Sequence, residues 1–487
     1  MLLESDPEHH SYASDPIPLG AAGRVRDTAP TGGYLAQEEA LSSPLFSAFK
    51  TPDLRKKLLF TVFIIAIYRL GATMPSPGVS YTNVQKCIDL MSKSEDPSGV
   101  FTLLNLFSGG ALLSLSVFAL GIMPYITASI ILQLLTVVIP RLEQLRKEGQ
   151  AGQAKITQYT RYLTLGLAVL QSSAFVALAR SGQLFNNQCT EYPIIPDTHK
   201  IPMWLTLSLL VITMTAGTGV IMWLGELITD RGIGNGMSVL IFTSIAARLP
   251  TEGIQIWQNS PYKLIAVLGI GVLVIAFVVF LEQAQRRVPV QYAKRMIGRR
   301  MYGGTSTYIP LKVNQAGVIP VIFASSLLYL PQLVTQLMSE KTRTSNPIVV
   351  WITRHYVDQG ALNGPFYIGT YFLLILFFTY FYVSITFNPT EVADNMKKYG
   401  GFVPGIRPGK PTAEYLDFIL SRITLPGALY LGVIAVLPNL FINFVGGNKQ
   451  NFPFGGTAVL IIVGVGLETV KQIESQLMQR NYEGFLR

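Results

Sequence analysis

The stretch Asn105–Pro140 reads NLFSGGALLSLSVFALGIMPYITASIILQLLTVVIP, and it decides the fold class. It begins with an apolar piece that is interrupted by Ser108-Gly109-Gly110 and is shorter than the roughly 20 residues needed to cross a bilayer. An apolar segment of full length follows, with Pro124 and Tyr125 inside it. Non-helical backbone at membrane depth is tolerated only where protein or a water-filled cavity surrounds it. The stretch therefore predicts a re-entrant element folded into a pore.

The composition of the whole chain supports a membrane protein. Of its 487 residues, 49% are hydrophobic and only 14% are charged, and the mean hydropathy is +0.39. Soluble domains usually carry about 25% charged residues. Together with many long apolar runs, these values predict an all-α protein that crosses the membrane several times.

Ten apolar segments along the chain are candidate spans, and the fifth of them is shorter than the others. They lie near residues 58–74, 116–139, 158–179, 202–228, 236–249, 263–282, 315–338, 366–386, 415–441 and 456–475. An even number of spans places both termini on one side. Most Lys and Arg residues fall in the loops of that same side, so the positive-inside rule predicts cytoplasmic N- and C-termini.

The first 42 residues differ from the rest of the chain. Residues 1–42 contain seven acidic and two basic residues, whereas the whole chain has a net charge of +10. The segment is polar and aperiodic, which predicts a disordered acidic extension. It lacks a basic n-region and an apolar h-region, so it is not a signal peptide. A dispensable extension, a misassigned start site and a regulatory tail remain the alternatives.

The sequence offers no residues for metal, cofactor or catalytic chemistry. Its four histidines are scattered outside the apolar runs, and no HExxH or CxxC motif occurs. We expect no metal, no cofactor and no enzymatic activity. Cys87 and Cys189 both fall in loops predicted to face the oxidising outside, where they form either a disulfide or two unrelated thiols.

Two long basic loops are predicted on the cytoplasmic side, at residues 283–313 and 388–412. The first alternates basic residues with tyrosines, and its β-branched residues predict a hairpin around Gly298 or around Gly303-Gly304. Paired arginines such as Arg299-Arg300 suit phosphate or carboxylate groups. Docking of a large acidic partner is one interpretation, and topology combined with anchoring to anionic lipids is the other.

Ionisable residues inside the predicted spans are few, and Arg69, Glu226 and Glu468 are the clearest. We expect Glu226 to pair with Arg231 or with a loop. Ion-coupled transporters usually need buried acidic or histidine relays. The scarcity of such groups favours a channel over a secondary transporter with inverted repeats, and a membrane-embedded enzyme is the third alternative.

Several long motifs then carry a resemblance to a known family. They are NLFSGGAL, ALGIMPYITASIILQLL, RKEGQAGQAKITQYTRY, MWLGELITDRGIGNGMS, PLKVNQAGVIPVIFASS and NPTEVADNMKKYGGFVPGIRPG. Residues 43–487 resemble the SecY/Sec61-alpha family of protein-conducting channel subunits. The resemblance implies ten transmembrane helices in two pseudo-symmetric five-helix halves, 43–250 and 251–487, with a hinge near Pro250–Lys263.

The resemblance also implies roles for particular residues of this chain. An apolar pore ring would be formed by Ile122, Ile126, Met237, Ile241, Ile322 and Ile461. A re-entrant plug helix at about 103–112 would contain Leu106, Phe107, Ser108, Gly109, Gly110, Ala111 and Leu112. A lateral gate would include the polar residues Thr127, Gln171, Ser325 and Ser326. A docking surface would present Arg287, Arg299, Arg300 and Arg407.

The partners and the location follow from the same resemblance. It implies the accessory subunits SecE and SecG, the motor ATPase SecA and the ribosome as partners, and signal peptides and nascent polypeptides as cargo. The expected location is the bacterial plasma membrane, where the chain conducts unfolded secretory proteins and releases membrane segments sideways into the lipid.

Overall fold

The computed structural model describes most of the chain outside the N-terminal extension. The described residues are 51–93, 108–112, 114–180, 194–196, 202–259, 261–292, 295–297, 300–302, 306–338, 345–357, 364–445 and 456–485. The predicted acidic extension, Leu106, Phe107, Cys189 and Arg299 lie outside them.

The described chain is mostly helical. In order, the helices are α1 Pro52–Thr73, α2 Tyr81–Lys93, α3 Met123–Val138, α4 Pro140–Lys147, α5 Gln150–Arg180, α6 Met203–Arg231, α7 Gly236–Ala246, α8 Leu249–Asn259, α9 Pro261–Gln283, α10 Ile319–Leu337, α11 Pro347–Ile352, α12 Pro365–Thr386, α13 Pro389–Lys398, α14 Lys410–Val445 and α15 Gly456–Phe485. A short π-helical turn, Thr353–Val357, follows α11.

Each of the ten predicted apolar segments overlaps one of these helices. Within the described part of the chain, five helices are long and apolar enough to cross a membrane, or six if the bent pair α3–α4 counts as one span. The chain turns by 100° between α3 and α4, where Pro140 starts the second helix of the pair. Several apolar helices are therefore present, and the count of ten spans stays a prediction.

Five short strands form two small sheets from the two basic loops. They are β1 Gln285–Tyr292, β2 Arg295–Ile297, β3 Arg300–Tyr302, β4 Ser306–Lys312 and β5 Gly401–Phe402. The three-stranded sheet has the order β4-β1-β5 and is antiparallel, with Val288 opposite Ile309 and Gln291 opposite Phe402. We call the end of the helix bundle that carries this sheet the sheet end.

Strands β2 and β3 are antiparallel, with Ile297 opposite Arg300. Gly298 and Gly303-Gly304, the two positions predicted for a hairpin turn, lie outside the described residues. Within the second basic loop, residues Pro389–Lys398 form helix α13. The side chain of Asn388 caps this helix by accepting a hydrogen bond from the Thr390 amide.

At the opposite end of the bundle, the described residues 108–112 and 114–121 form consecutive turns, and we call them the turn segment. The apolar pattern from residue 116 predicted helix here, yet α3 begins only at Met123. Gly121 and Leu115 have positive φ angles of 57° and 43°, which a right-handed helix does not accommodate. The described part of the predicted plug, residues 108–112, thus consists of turns, and residues 103–107 lie outside the described chain.

The turn segment is anchored at its C-terminal side by backbone hydrogen bonds to the end of α1. The Ser76 amide donates to the Leu115 carbonyl at 3.1 Å, and the Val117 amide donates to the Met74 carbonyl at 3.0 Å. Helix α6 approaches the same place closely, because a side chain at Gly217 would collide with the Val117 carbonyl. These contacts fix the segment against α1 and α6.

Candidate functional site

The six residues predicted for the pore ring lie in one hydrophobic cluster, which we call the ring cluster. Ile122, Ile241, Ile322 and Ile461 are buried within it, and Ile126 and Met237 pack against it. They come from both predicted halves of the chain. The structure therefore brings together residues that are as much as 339 positions apart, as Ile122 and Ile461 show.

Two helices begin at the ring cluster with the same local sequence feature, a proline in the first turn. Helix α3 has Pro124 in its first turn, two residues after Ile122, and α10 has Pro320 in its first turn, two residues before Ile322. Proline suits this position because it has no amide hydrogen to leave unpaired and its φ is already helical. Both helices therefore begin within the cluster, one from each half.

The turn segment contacts the ring cluster directly. Ala111 is almost completely buried and belongs to the cluster. The Arg69 guanidinium on α1 donates to the Gly109 carbonyl at 3.3 Å. Gly109 has a φ of +66°, and a side chain there would meet both Arg69 and the Ser244 backbone on α7. The segment is thus seated on the ring by close contacts at Gly109 and Ala111.

A polar cavity of about 460 Å³ lies on the other side of the ring, toward the sheet end. Four ring residues form its floor: Ile126, Met237, Ile241 and Ile322. Its walls carry charged and polar groups, including Arg161 and Glu226. We call this space the vestibule. The apolar ring therefore separates a polar vestibule from the turn segment.

An ion pair fixes one wall of the vestibule. The Nε and Nη2 atoms of Arg161 on α5 donate to the two carboxylate oxygens of Glu226 on α6, both at 2.8 Å. This corrects the expected pairing of Glu226 with Arg231. The forked geometry of the guanidinium matches a carboxylate in this bidentate way.

A second, largely apolar cavity of about 610 Å³ lies between α3, α5, α10 and α12, and we call it the gate cavity. Three of the four predicted gate residues line it, namely Thr127, Gln171 and Ser326. Ser325 does not line it. Helix α10 packs extensively on α12 but only lightly on α3 and α5. The seam between the two predicted halves is therefore sparsely packed at this cavity.

Hydrogen bonds that the structure describes do not join the helices across this seam. The Thr127 hydroxyl donates to the Met123 carbonyl of its own helix, and the Ser325 hydroxyl donates to the Ile322 carbonyl of its own helix. The Ser326 hydroxyl is buried and has no partner. Among the described hydrogen bonds, the polar side chains of the gate thus form none between the helices.

The two basic loops form one surface at the sheet end. Strand β5 of the second loop pairs with β1 of the first, and the inner face of the sheet packs on α13 and α14 through Val290, Met396 and Leu416. Arg287 on β1 is exposed and stacks on the Tyr308 ring, 4.8 Å from its centroid. Arg407 is exposed, and Arg300 lies in β3.

Cys87 lies on α2, at the end of the bundle opposite the sheet. It is completely buried and disulfide-bonded. Because Cys189 lies outside the described residues, the pairing of these two cysteines stays a prediction. Among the residues that the structure describes, no group of three or more His, Cys, Asp or Glu side chains could hold a metal ion.

Sequence reasoning missed the residues that position the site. Arg69 was noted only as a charge within a span, and its contact with Gly109 was not predicted. Ala111 was placed in the plug without a contact to the ring. Two signals in the sequence could have suggested this contact. They are a charged residue in an apolar helix and a glycine pair in an apolar stretch.

The fold is that of a protein-conducting channel. It matches a solved SecY structure, described as having a plug domain that stabilises the closed translocation channel, with a TM-score of 0.56 and 20% identity over 86% of this chain and 91% of that one. It also matches Sec61 in the canine ribosome-channel complex from the endoplasmic reticulum, with a TM-score of 0.55 and 18% identity over 86% of this chain and 91% of that one.

Sequence comparison narrows this class to one family. The SecY family model matches residues 116–470. A curated relative, the protein translocase subunit SecY of Streptomyces scabiei, is 63% identical over 448 residues, which cover 90% of this chain and 98% of the relative. The chain belongs to the SecY family. It is a channel subunit of a protein translocase rather than a catalytic enzyme.

Proposed function

We propose that this chain forms the pore of the translocase, with the ring cluster as its constriction and the turn segment as its plug. Unfolded polypeptide enters from the vestibule, passes between the ring residues and displaces the turn segment. The observation that supports this path is the contact between three successive layers: a polar vestibule lined by ring residues, the ring cluster itself, and the turn segment that packs against it through Ala111. A narrow apolar constriction resists ions because it dewets.

The gate cavity is the proposed exit into the membrane. An apolar segment of a signal sequence, about 7–15 residues long, would enter between α3 and α10. The light packing across the seam lowers the free energy needed to part the helices, and burial of apolar surface of the incoming segment offsets the remainder. A membrane-protein segment would leave into the lipid by the same route.

The sheet end is the proposed cytoplasmic face, in the bacterial plasma membrane, and both termini lie there. We propose that the exposed arginines of the joined basic loops dock SecA or the ribosome, and that SecE and SecG complete the complex. A relative of the same fold was solved as a ribosome-channel complex, which supports docking at this kind of channel. Anionic lipids would contact the remaining basic residues of this face.

Site-specific crosslinking tests the path. A photoreactive amino acid at Ile126 or Ile322 should label a stalled secretory precursor, because both side chains face the vestibule and the ring. The matched control is Val272 on α9, whose side chain is 66% exposed on the outside of the bundle. Equal labelling from Val272 and from the two ring positions would refute the proposed path.

Charge reversal at the sheet end tests docking separately. Arg407→Glu should abolish SecA-driven export while the channel still assembles, because Arg407 is exposed and no side-chain contact of it is described. The comparison variant is Lys410→Glu, which reverses an equally exposed charge three residues away. Normal export by Arg407→Glu, with export lost only in Lys410→Glu, would show that Arg407 is not the docking residue.

A further inference from the structure

A groove on the outside of the bundle, between α5 and α6, is not explained by the path of the polypeptide. It has a volume of about 650 Å³ and lies in the half of these helices nearest the turn segment. Its walls are Ser173, Val176, Ala177 and Arg180 of α5 and Leu207, Ser208, Val211 and Ile212 of α6. We call it the α5–α6 groove.

The groove presents apolar surface to its occupant, apart from one charge. The hydroxyls of Ser173 and Ser208 donate to carbonyls of their own helices, at 2.8 and 2.9 Å, so they demand no partner from a ligand. Arg180, the last residue of α5, lies at the end of the groove. A chain of methylene groups therefore fits the groove better than a polar ligand does.

Arg180 is available to bind an anion. Its side chain is exposed, and no carboxylate or hydrogen-bond partner of its guanidinium occurs among the contacts that the structure describes. Trp204, near the first turn of α6, is 67% exposed beside the same end of the groove. Exposed tryptophans are typical of the level of the lipid headgroups, so the charge lies where a phosphate would be found.

We propose that the α5–α6 groove binds an anionic phospholipid, with one acyl chain along the groove and the phosphate held by Arg180. The charge of the guanidinium and its forked donors complement a phosphodiester. The lipid would come from the leaflet at the turn-segment end, whereas the basic loops face the other leaflet. Ser173 and Ala177 line both this groove and the gate cavity, so the bound chain would lie directly behind the gate helix α5.

Lipid association with the full-length chain, reconstituted in vesicles, tests this proposal. Phosphatidylglycerol and phosphatidylcholine with the same spin-labelled acyl chain are compared by the fraction of immobilised label. Arg180→Gln should lower the preference for phosphatidylglycerol at this site about fivefold, the usual contribution of one arginine near a membrane anion. Arg180→Lys should retain most of the preference because it keeps the charge.

Two further variants separate the groove from general charge effects. Arg354→Gln removes an exposed arginine between α11 and α12 that lines no described cavity, and it should leave the preference unchanged. Ser208→Trp fills the groove from an exposed position and should remove the immobilised component for both lipids. An unchanged preference in Arg180→Gln, or an undiminished immobilised fraction in Ser208→Trp, would overturn the proposal.

The same variants would also reveal a protein, rather than a lipid, bound in the α5–α6 groove. If Ser208→Trp expels an accessory subunit from the purified complex while Arg180→Gln leaves lipid preference unaltered, the groove is a subunit interface and the lipid proposal is wrong. None of these measurements uses export as its readout. Their failure therefore leaves the proposed function of the pore untouched.

Discussion

The ring cluster and the gate cavity are built from the same helices and packed in opposite ways. Ile122, the residue before α3, and Ile322 of α10 both belong to the ring cluster, where they are at least 92% buried. About one turn further along, α3 and α10 contribute Thr127 and Ser326 to a cavity of about 610 Å³. The two helices are therefore tightly packed at the ring cluster and loosely packed at the seam.

This difference separates two requirements of a channel. A dense apolar contact gains dispersion energy and excludes water, so it reseals by itself after each passage. A seam that encloses empty space and a buried hydroxyl without a partner forgoes both packing and hydrogen-bond energy. Such a seam is the weaker contact and should open first.

The largest effect is expected from a polar group in the ring. Ile322→Asn should raise the ion leak of the idle channel by roughly 10- to 100-fold, because the hydrophobic contribution of a buried isoleucine is about 1.5–3 kcal/mol. Planar-bilayer conductance of the resting channel measures this. The control is Leu273→Asn on α9, whose side chain faces away from the bundle and is 69% exposed. A leak equal to that of the control would show that the ring is not the barrier.

A smaller effect is expected from unseating the turn segment. Gly109→Ala places a side chain against Arg69 and Ser244 at a positive φ, which costs about 1–2 kcal/mol. The unseated population should rise roughly 5- to 30-fold, and cysteine labelling at Ser108→Cys would report it. Gly166→Ala, within α5 and with open space around it, should not change the labelling. If Gly109→Ala also leaves the labelling unchanged, the position of the turn segment does not depend on the contact at Gly109.

Filling the gate cavity should give a more modest change. Ser326→Val removes the unpaired hydroxyl and adds apolar volume to the seam, which stabilises the closed gate by about 1 kcal/mol. Export of precursors with weak signal sequences should fall roughly fivefold, with strong signals little affected. Ser325→Val is the matched control, because Ser325 does not line the cavity. Equal export by the two variants would argue against the cavity as the entry point.

The smallest effect is expected at Thr127. Thr127→Val keeps the shape of the side chain and removes a hydroxyl that bonds only its own helix. Even side-chain hydrogen bonds between membrane helices contribute only about 0.6 kcal/mol on average, and the Thr127 bond lies within one helix, so export of weak-signal precursors should change less than about threefold. A change larger than that of Ser326→Val would reveal a bond across the seam that the structure does not describe.

The sequence predicted helical segments well, because long apolar runs leave a signature within a short window of chain. The family resemblance named the six ring residues, and the structure places them in one cluster, while their role in a pore stays a prediction. The beginning of α3 was wrong by seven residues, because residues 116–122 are as apolar as a helix. Only the backbone angles at Leu115 and Gly121 distinguish this stretch from a span.

Contacts between distant segments were not predictable in this way. Glu226 pairs with Arg161, 65 positions away, whereas the expected partner Arg231 is near in sequence. The sequence also does not decide whether the polar residues of the gate bond across the seam or only within their own helices. That choice depends on which way each hydroxyl rotates within a helix that already offers it a carbonyl.

The pairing of β1 with β5 has a consequence for biogenesis. Gln291 and Phe402 pair although they are about 110 residues apart, with α10, α11, α12 and α13 between them. At a synthesis rate of about 5–20 residues per second, the edge of β1 waits roughly 5–20 s for its partner. The joined surface of the two basic loops can therefore be completed only after α10 and α12 have been made, so a half-synthesised chain does not yet present it.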